Sequence, residues 1–205
     1  MFIALAIILT IFIASFVIFL VLLRKMTFDT FKKLSSAKVS RIAKRKKYLA
    51  IDNLNILNYK REKLGVDHVI FGKKYIYIIT DFMLKGFVSG EVNDNSWVYY
   101  NKITKKNQYL ENLSTVSDKN IQEFAAILGI NADPIVSICL VPNECDFTVK
   151  QLEFNKKMVV HYSSLNRKIK ELENQDIGTL NEKQIYEQYS TIKSKNEERS
   201  WKTPI

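Results

Sequence analysis

The sequence VDHVIFGKKYIYIIT, residues 66–80, predicts the central hairpin of the fold. Its two apolar runs, 66–71 and 75–80, are rich in β-branched and aromatic residues, and Gly72 opens the short turn between them. Runs of this kind joined by a short glycine-containing turn are typical of antiparallel strands. The stretch therefore predicts a β-hairpin inside a folded domain.

Outward from the hairpin, the pattern predicts a mixture of strands and helices. Before it we expect a helix over 27–49 and a short strand over 54–59. After it we expect strands over 87–88, 97–100, 134–141 and 158–162, and helices over 107–128, 163–174 and 181–195. Gly129 is a predicted helix stop, and the apolar run 134–141 indicates a strand buried on both faces. The order predicts an α/β or α+β domain.

The N-terminal residues predict a membrane anchor. In residues 2–23 only Thr10 and Ser15 are polar. As a helix this segment is roughly 33 Å long, against about 30 Å for a bilayer core. A cleaved signal peptide would have a basic start and a shorter apolar core, and no Lys or Arg precedes this segment. We therefore expect one retained transmembrane helix over 1–23.

The positive charge is concentrated directly after this segment. Ten of the 31 basic residues and one of the 21 acidic residues lie in 24–47, so this stretch carries +9 of the net +10. Basic residues flanking a span stay on the cytoplasmic side, which predicts a single-pass cell-membrane protein with its N-terminus outside and its C-terminal domain cytoplasmic. The basic residues would also attract anionic lipid headgroups of the bilayer, at about 1 kcal/mol each. They are Arg24, Lys25, Lys32, Lys33, Lys38, Arg41, Lys44, Arg45, Lys46 and Lys47.

These observations divide the chain into four parts. A basic juxtamembrane segment, 24–49, is expected either as an amphipathic helix on the membrane surface or as a solvated linker. The globular domain covers 50–175, and 176–205 form a C-terminal helix and a polar tail. Cys139 and Cys145 have no Cys or His partner at metal-binding spacing. We interpret them as free thiols in a reducing compartment.

A set of residues after the hairpin adds a family resemblance. GFVSG at 86–90, Trp97 and Gln108 follow the hairpin in order. Together with the hairpin, this set resembles the NERD, or nuclease-related, domain over about residues 50–165. The resemblance implies a restriction-endonuclease-like fold, in which a mixed central sheet is flanked by helices. It also implies that Gln108 opens the next helix.

In catalytic members of that fold, an Asp and a second acid hold Mg²⁺, and a Lys two residues further on helps to activate water. Residues i and i+2 of a strand share a face, and Mg²⁺ prefers oxygen ligands. The resemblance places Asp67 in the first acid position, Thr80 in the second and Phe82 in the lysine position. Asp81 is one residue out of step and would face the other way on a regular strand. Only a bulge would turn it inward.

We therefore expect a membrane-anchored NERD-like domain that is catalytically inactive and acts as a binding or scaffolding module. No cofactor is expected, and Asp67 is the single metal candidate. One alternative is an active Mg²⁺-dependent nuclease that uses Asp67 with Asp81 on a bulged strand. His68 is interpreted as a structural histidine.

Another alternative is a structural membrane protein that binds a protein partner through a stripe of Ile185, Tyr189 and Ile192. We prefer the interpretation that this stripe packs on its own domain. Nucleic acid is a weaker expected partner, because the domain outside 24–47 is nearly neutral. The sequence shows no P-loop, Ser/His/Asp set or redox cysteine pair. Phosphoryl-transfer, hydrolase and oxidoreductase functions are therefore unsupported.

Overall fold

The computed structural model describes residues 12–13, 15–16, 27–56, 64–91, 93–149 and 156–200, of which 197–200 by backbone alone. Most of the predicted span, together with Arg24 and Lys25, lies outside these residues. Within the described ranges, no helix is both long enough and apolar enough to cross a membrane.

The described chain is a mixed α/β structure with two sheets. Its strands are β1 Leu49–Asp52, β2 His68–Phe71, β3 Ile76–Asp81, β4 Gly86–Ser89, β5 Ser96–Asn101, β6 Lys106–Glu111, β7 Ile135–Val141, β8 Asp146–Phe147 and β9 Lys157–His161. Its helices are α1 Phe28–Lys46, α2 Leu113–Leu128, α3 Leu165–Glu173 and α4 Glu182–Ser200, with a 3-10 turn at Tyr162–Ser164. The predicted α/β class is confirmed.

The central sheet has the strand order β1-β2-β3-β7-β9. The predicted hairpin is present as antiparallel β2 and β3, with Phe71 opposite Ile76. β7 is parallel to β3 and buried along its whole length, as the apolar run predicted. Two apolar cores cover the two faces of this sheet, one beneath α1 and α3 and the other beneath α2 and α4.

Helix α1 belongs to the core of the domain. The Thr27 side chain caps its first turn by accepting from the Thr30 N–H, and Lys47 ends it in the left-handed conformation. Phe31, Val39 and Ile42 are buried in the same core as the central sheet. Both expectations for segment 24–49 left this apolar stripe outside the domain. The correction is that the stripe packs on the sheet, so packing continues across the predicted boundary at residue 50.

The second sheet has the order β6-β5-β4-β8 and packs on an apolar cluster at the end of β7. Gly86 and Gly90 flank β4 with φ of 156° and 158°, a region that favours glycine. A Cβ atom at Gly90 would overlap the ring of Trp97, and that ring is fully buried. Gly90 and Trp97 of the family resemblance therefore pack directly on each other, whereas Gly86 lies against the backbone of Tyr100.

Two predicted elements are wrong. The expected helix 107–128 starts too early: residues 107–111 belong to strand β6. Helix α2 starts only after Asn112, whose side chain caps it by accepting from the Ser114 N–H. The expected strand 54–59 is not formed over 54–56, and 57–59 lie outside the described residues. The strand in this part of the chain is β1, Leu49–Asp52, which ends just before Asn53, a residue with a φ of 53°.

The closing helices pack on the domain. Ile192 in α4 is fully buried, and the ring of Tyr189 lies edge-on to Phe71, with 5.8 Å between the ring centroids. The stripe of Ile185, Tyr189 and Ile192 therefore contributes to the core beside β2. This agrees with the preferred interpretation that the stripe packs on its own domain, with Ile185 and Tyr189 left partly exposed.

Candidate functional site

A cleft of about 360 Å³ lies beside the start of β2 and the end of β3. Asp67 and Thr80 both line it, as the family resemblance implied for the two acid positions. Lys32 from α1 and the amides Asn53 and Asn55 complete its polar lining. The antiparallel register of β2 and β3, extended by one residue, explains why Asp67 and Thr80 meet here.

The Asp67 carboxylate already has two partners in this cleft. Oδ1 lies 2.7 Å from the ammonium of Lys32, and Oδ2 accepts a hydrogen bond of 2.9 Å from the backbone N–H of Asp81. The Asp67 side chain is 17% exposed and that of Lys32 is 35% exposed. The carboxylate is thus reachable from solvent and balanced by a cation of the chain itself.

Thr80 and Phe82 give this cleft different chemistry from a two-carboxylate metal site. The Thr80 hydroxyl donates to the carbonyl of Gly65 at 2.9 Å. Phe82 is partly buried and packs against the apolar cluster beneath the second sheet. In the described part of the chain, no group of three His, Cys, Asp or Glu side chains lies close enough to hold a metal ion.

Strand β3 runs regularly through the site. Thr80 pairs with Cys139 and Asp81 with Leu140 in the ladder to β7, with no extra residue. Regular alternation sends the Asp81 side chain to the face opposite Thr80, where it is buried. The bulge that would bring Asp81 to Asp67 is therefore absent from β3.

A buried polar group, which we call the histidine cluster, lies beneath α1. It consists of Ser35, Asp52, His68 and Asp81. His68 Nδ1 is 2.8 Å from Asp52 Oδ1, and His68 Nε2 is 3.0 Å from Asp81 Oδ2. The Ser35 hydroxyl donates to the same oxygen of Asp81 and lies 3.1 Å from His68 Nε2. The cluster joins α1 to β1, β2 and β3.

The charges of Asp52 and Asp81 determine the protonation of His68. Burial opposes a charged imidazole, but hydrogen bonds and attraction from Asp52 and Asp81 outweigh it and raise the pKa of His68 to about 9. Burial disfavours the charged form of Asp52 as well, yet its bonds to His68 and Ser36 leave its pKa lowered. At neutral pH His68 is therefore a cation between two carboxylates, and both ring nitrogens donate.

Ser35, His68 and Asp52 form the order of contacts found in a hydrolytic triad, which the sequence did not reveal. In such a triad a neutral imidazole accepts the serine proton. Here His68 is already protonated, and Ser35 and the imidazole are fully buried. The geometry is that of an ion-pair network inside the domain, which agrees with the interpretation of His68 as a structural histidine.

Gln108 lies away from the cleft. It sits on the outer strand β6, exposed and opposite Tyr99, so the helix-opening position implied by the resemblance is wrong. Trp97 and Tyr99 on the neighbouring strand β5 are buried core residues.

The basic residues of α1 fall into two groups. Lys32 pairs with Asp67. The Lys38 ammonium donates to the backbone carbonyl of Tyr162 and lies 4.1 Å from the centroid of the Tyr162 ring. Burial, followed by the nearby charge of Arg41, lowers the pKa of Lys38. The remaining described members of the predicted lipid-binding set are exposed; they are Lys33, Arg41, Lys44, Arg45, Lys46 and Lys47.

Comparison of the chain with protein-family models, curated proteins and solved structures gives no match.

Sequence reasoning found Asp67 and Thr80 but missed their neighbours. Lys32 was assigned to lipid because its charge is part of the basic stretch, and no local motif links it to Asp67. The pair His68 and Asp81 had a detectable signal. Asp67 and Thr80 oppose each other on one face of the hairpin. The residues that follow them, His68 and Asp81, must therefore both lie on the other face.

Proposed function

We propose that this chain is a membrane-anchored domain of the restriction-endonuclease-like class, related to the NERD domain, whose nuclease-type site has lost its metal-binding acid. It acts as a binding or scaffolding module at the cytoplasmic face of the cell membrane. Its partners are the bilayer with its anionic headgroups and a ligand or protein that uses the cleft at Asp67.

The fold supports this proposal. A five-stranded mixed sheet has α1 and α3 on one face and α2 and α4 on the other, which agrees with a mixed central sheet flanked by helices. Asp67 and Thr80, the residues that the resemblance assigns to the acid positions, both line the cleft, and the close contact of Gly90 with Trp97 follows them along the chain. Core packing and site chemistry can be separated on one fold.

The observation that carries the loss of catalysis is the pair Asp67 and Thr80. They share one cleft, but only Asp67 supplies a charge, and Lys32 neutralises it. Mg²⁺ is usually bound through one or two carboxylates together with phosphate oxygens. Asp67 is the one carboxylate of this pair, and the Lys32 ammonium already neutralises its charge, so the attraction for Mg²⁺ is weak. Phe82 stands in the lysine position and is uncharged, so it cannot stabilise a negative charge that develops during catalysis.

A nuclease assay tests this proposal directly. The full chain in detergent, incubated with Mg²⁺ and either DNA or RNA, is expected to leave both substrates intact. Because α1 is part of the core, a fragment that starts at residue 48 would lose core packing and is unsuitable. Mg²⁺-dependent cleavage that disappears in Asp67→Ala would overturn the proposal and restore the alternative of an active nuclease.

Restoring the missing acid gives a second test. Thr80→Glu places a second carboxylate in the cleft with Asp67, so we expect it to bind Mg²⁺ where the wild type shows no heat of binding by calorimetry. Thr80→Gln is the matched control, equal in size but uncharged, and should not bind. If Thr80→Glu and Thr80→Gln behave alike, the cleft is not the family site.

The membrane part of the proposal has its own measurement. The chain should remain with membranes after alkaline extraction, and protease added from the cytoplasmic side should reach the domain. Binding of single-stranded or duplex DNA should be weak and fall steeply with salt. Extraction into the soluble fraction would contradict the anchor without affecting the argument about Thr80.

A further inference from the structure

Strand β6, Lys106–Glu111, is an edge of the second sheet. Among the described residues it pairs with β5 alone, along one side, and five of its six residues are exposed. Tyr109 at its centre is 86% exposed. An edge strand presents backbone N–H and C=O groups to solvent, and these can pair with another strand.

The outer face of this sheet is also apolar. Phe87 on β4 and Val98 on β5 are 45% and 38% exposed, and Val98 lies directly opposite Tyr109 in the ladder. Ile103, in the loop that joins β5 to β6, is 70% exposed. Isolated exposed apolar residues need no explanation, but a group on one sheet face beside a free edge is typical of an interaction surface.

The usual protection of an edge strand is missing from β6. Its ladder with β5 is regular from 106 to 111, so no bulge twists it away, and it contains no proline. Its charges, Lys106 and Glu111, stand at opposite ends, with four uncharged residues between them. An antiparallel copy of the same strand, paired about Tyr109, would place Lys106 opposite Asn112 and Glu111 opposite Asn107, so no like charges would oppose each other.

We propose that β6 pairs with β6 of a second copy of this chain. A two-fold axis through the sheet at Tyr109 keeps the outer faces of the two copies together. It places Tyr109 opposite Tyr109 of the second copy, Asn107 opposite Glu111, and Gln108 opposite Leu110. Directly opposed aromatic residues stabilise antiparallel strands, and the Asn107 amide can donate to the Glu111 carboxylate.

Such a pair joins the two four-stranded sheets into one continuous sheet and removes both free edges. The contact is isologous, because each copy offers the same surface, so it closes at a dimer and does not propagate. It also leaves the cleft at Asp67 and the exposed basic residues of α1 outside the contact strand. The inference therefore does not depend on the proposed function.

A cysteine pair tests the register. Cα atoms opposed across antiparallel strands are about 4.5–5.5 Å apart, which a disulfide spans. Tyr109→Cys in the full chain should therefore give an oxidised dimer. Val98→Cys is the matched control, because it lies one strand further in on the same face, about 14 Å from its mate across three strand spacings, and should give none. The native Cys139 and Cys145 are buried.

A charge pair tests the dimer without a covalent bond. Tyr109→Lys places like charges opposite each other and removes an aromatic pair, so the dimer dissociation constant measured by sedimentation should rise about tenfold. Tyr186→Lys makes the same exchange at an exposed tyrosine of α4, outside the second sheet, and should have no such effect. Mixing Tyr109→Lys with Tyr109→Glu should restore association.

Three results would overturn the proposal. The first is a full chain that remains monomeric at all concentrations. The second is equal disulfide formation by Val98→Cys and Tyr109→Cys. The third is a crosslink from Tyr109→Cys in membranes that joins a different protein and never a second copy.

Discussion

The cleft and the histidine cluster differ in how their charges are enclosed, although adjacent residues of the same two strands form both. Asp67 and Thr80 face the cleft, whereas His68 and Asp81 face the core beneath α1. In the cleft, one carboxylate meets one half-exposed ammonium. In the cluster, a buried imidazolium lies between two carboxylates. One step along each strand therefore separates an accessible polar site from an internal one.

The difference shows which of the two sites holds the fold together. His68 has no exposed surface, and Oδ1 of Asp81 is buried with no hydrogen-bond partner within the described residues. The charge of Asp81 is thus balanced by His68, and the Ser35 hydroxyl donates a hydrogen bond to the same carboxylate. The cluster fixes α1 on the sheet, and α1 in turn carries Lys32 to the cleft.

The largest effect should come from removing the cation of the cluster. His68→Ala leaves the buried carboxylate of Asp81 without its cation and close to the partly exposed carboxylate of Asp52, so the free energy of unfolding should fall by about 3–5 kcal/mol. Denaturant unfolding of the full chain in detergent measures it. The double variant His68→Leu with Asp81→Leu removes both buried charges and should recover part of the loss. A single variant within about 1 kcal/mol of the wild type would contradict the buried ion pairs.

Titrating the same histidine should have a smaller effect. The pKa of His68 is raised from 6.5 to about 9, so the folded state binds this proton more tightly than the unfolded state does. The resulting stabilisation is complete below about pH 6.5 and is lost as the pH rises through about 9, and it is on the order of 1–3 kcal/mol. Unfolding measured from pH 6 to 9.5 should show the decline.

The His68→Ala variant is the control for this pH dependence. Without the imidazole, the decline between pH 6.5 and 9 should disappear, while any titration of the exposed lysines and tyrosines should remain. A wild type whose stability is flat across this range would mean that His68 is not held as a cation in the folded state.

Much of the central sheet could be predicted from the sequence because its signals are local. The apolar runs of β2, β3 and β7 need no information from distant residues, and Gly129 ends α2 in the left-handed conformation as expected. Strand β6 was missed for a physical reason. Most of its residues are polar and exposed, so the sequence lacks the alternation of apolar and polar residues that indicates a strand. Its strand conformation comes from pairing with β5.

The site was predicted in part, for a related reason. Asp67 and Thr80 follow from the family resemblance together with the hairpin register. Lys32 and Ser35 come from a helix that composition linked to the membrane, and their contacts depend on how α1 packs. Contacts between elements that are distant in the sequence leave no local motif. The ion pair of Lys32 with Asp67 and the contacts of Ser35 could therefore be found only from the structure.

The smallest expected effect belongs to the cleft. Lys32→Met removes a partly exposed ion pair with Asp67 while keeping most of the side-chain length, so the free energy of unfolding should fall by about 0.2–1 kcal/mol. Lys33→Met is the matched control, since Lys33 is exposed on the same turn of α1. The difference between the two should shrink in 1 M salt because solvent ions screen the cleft. A loss as large as that of His68→Ala would mean that Asp67 is enclosed like the histidine cluster, and the cleft could then not serve as an open binding site.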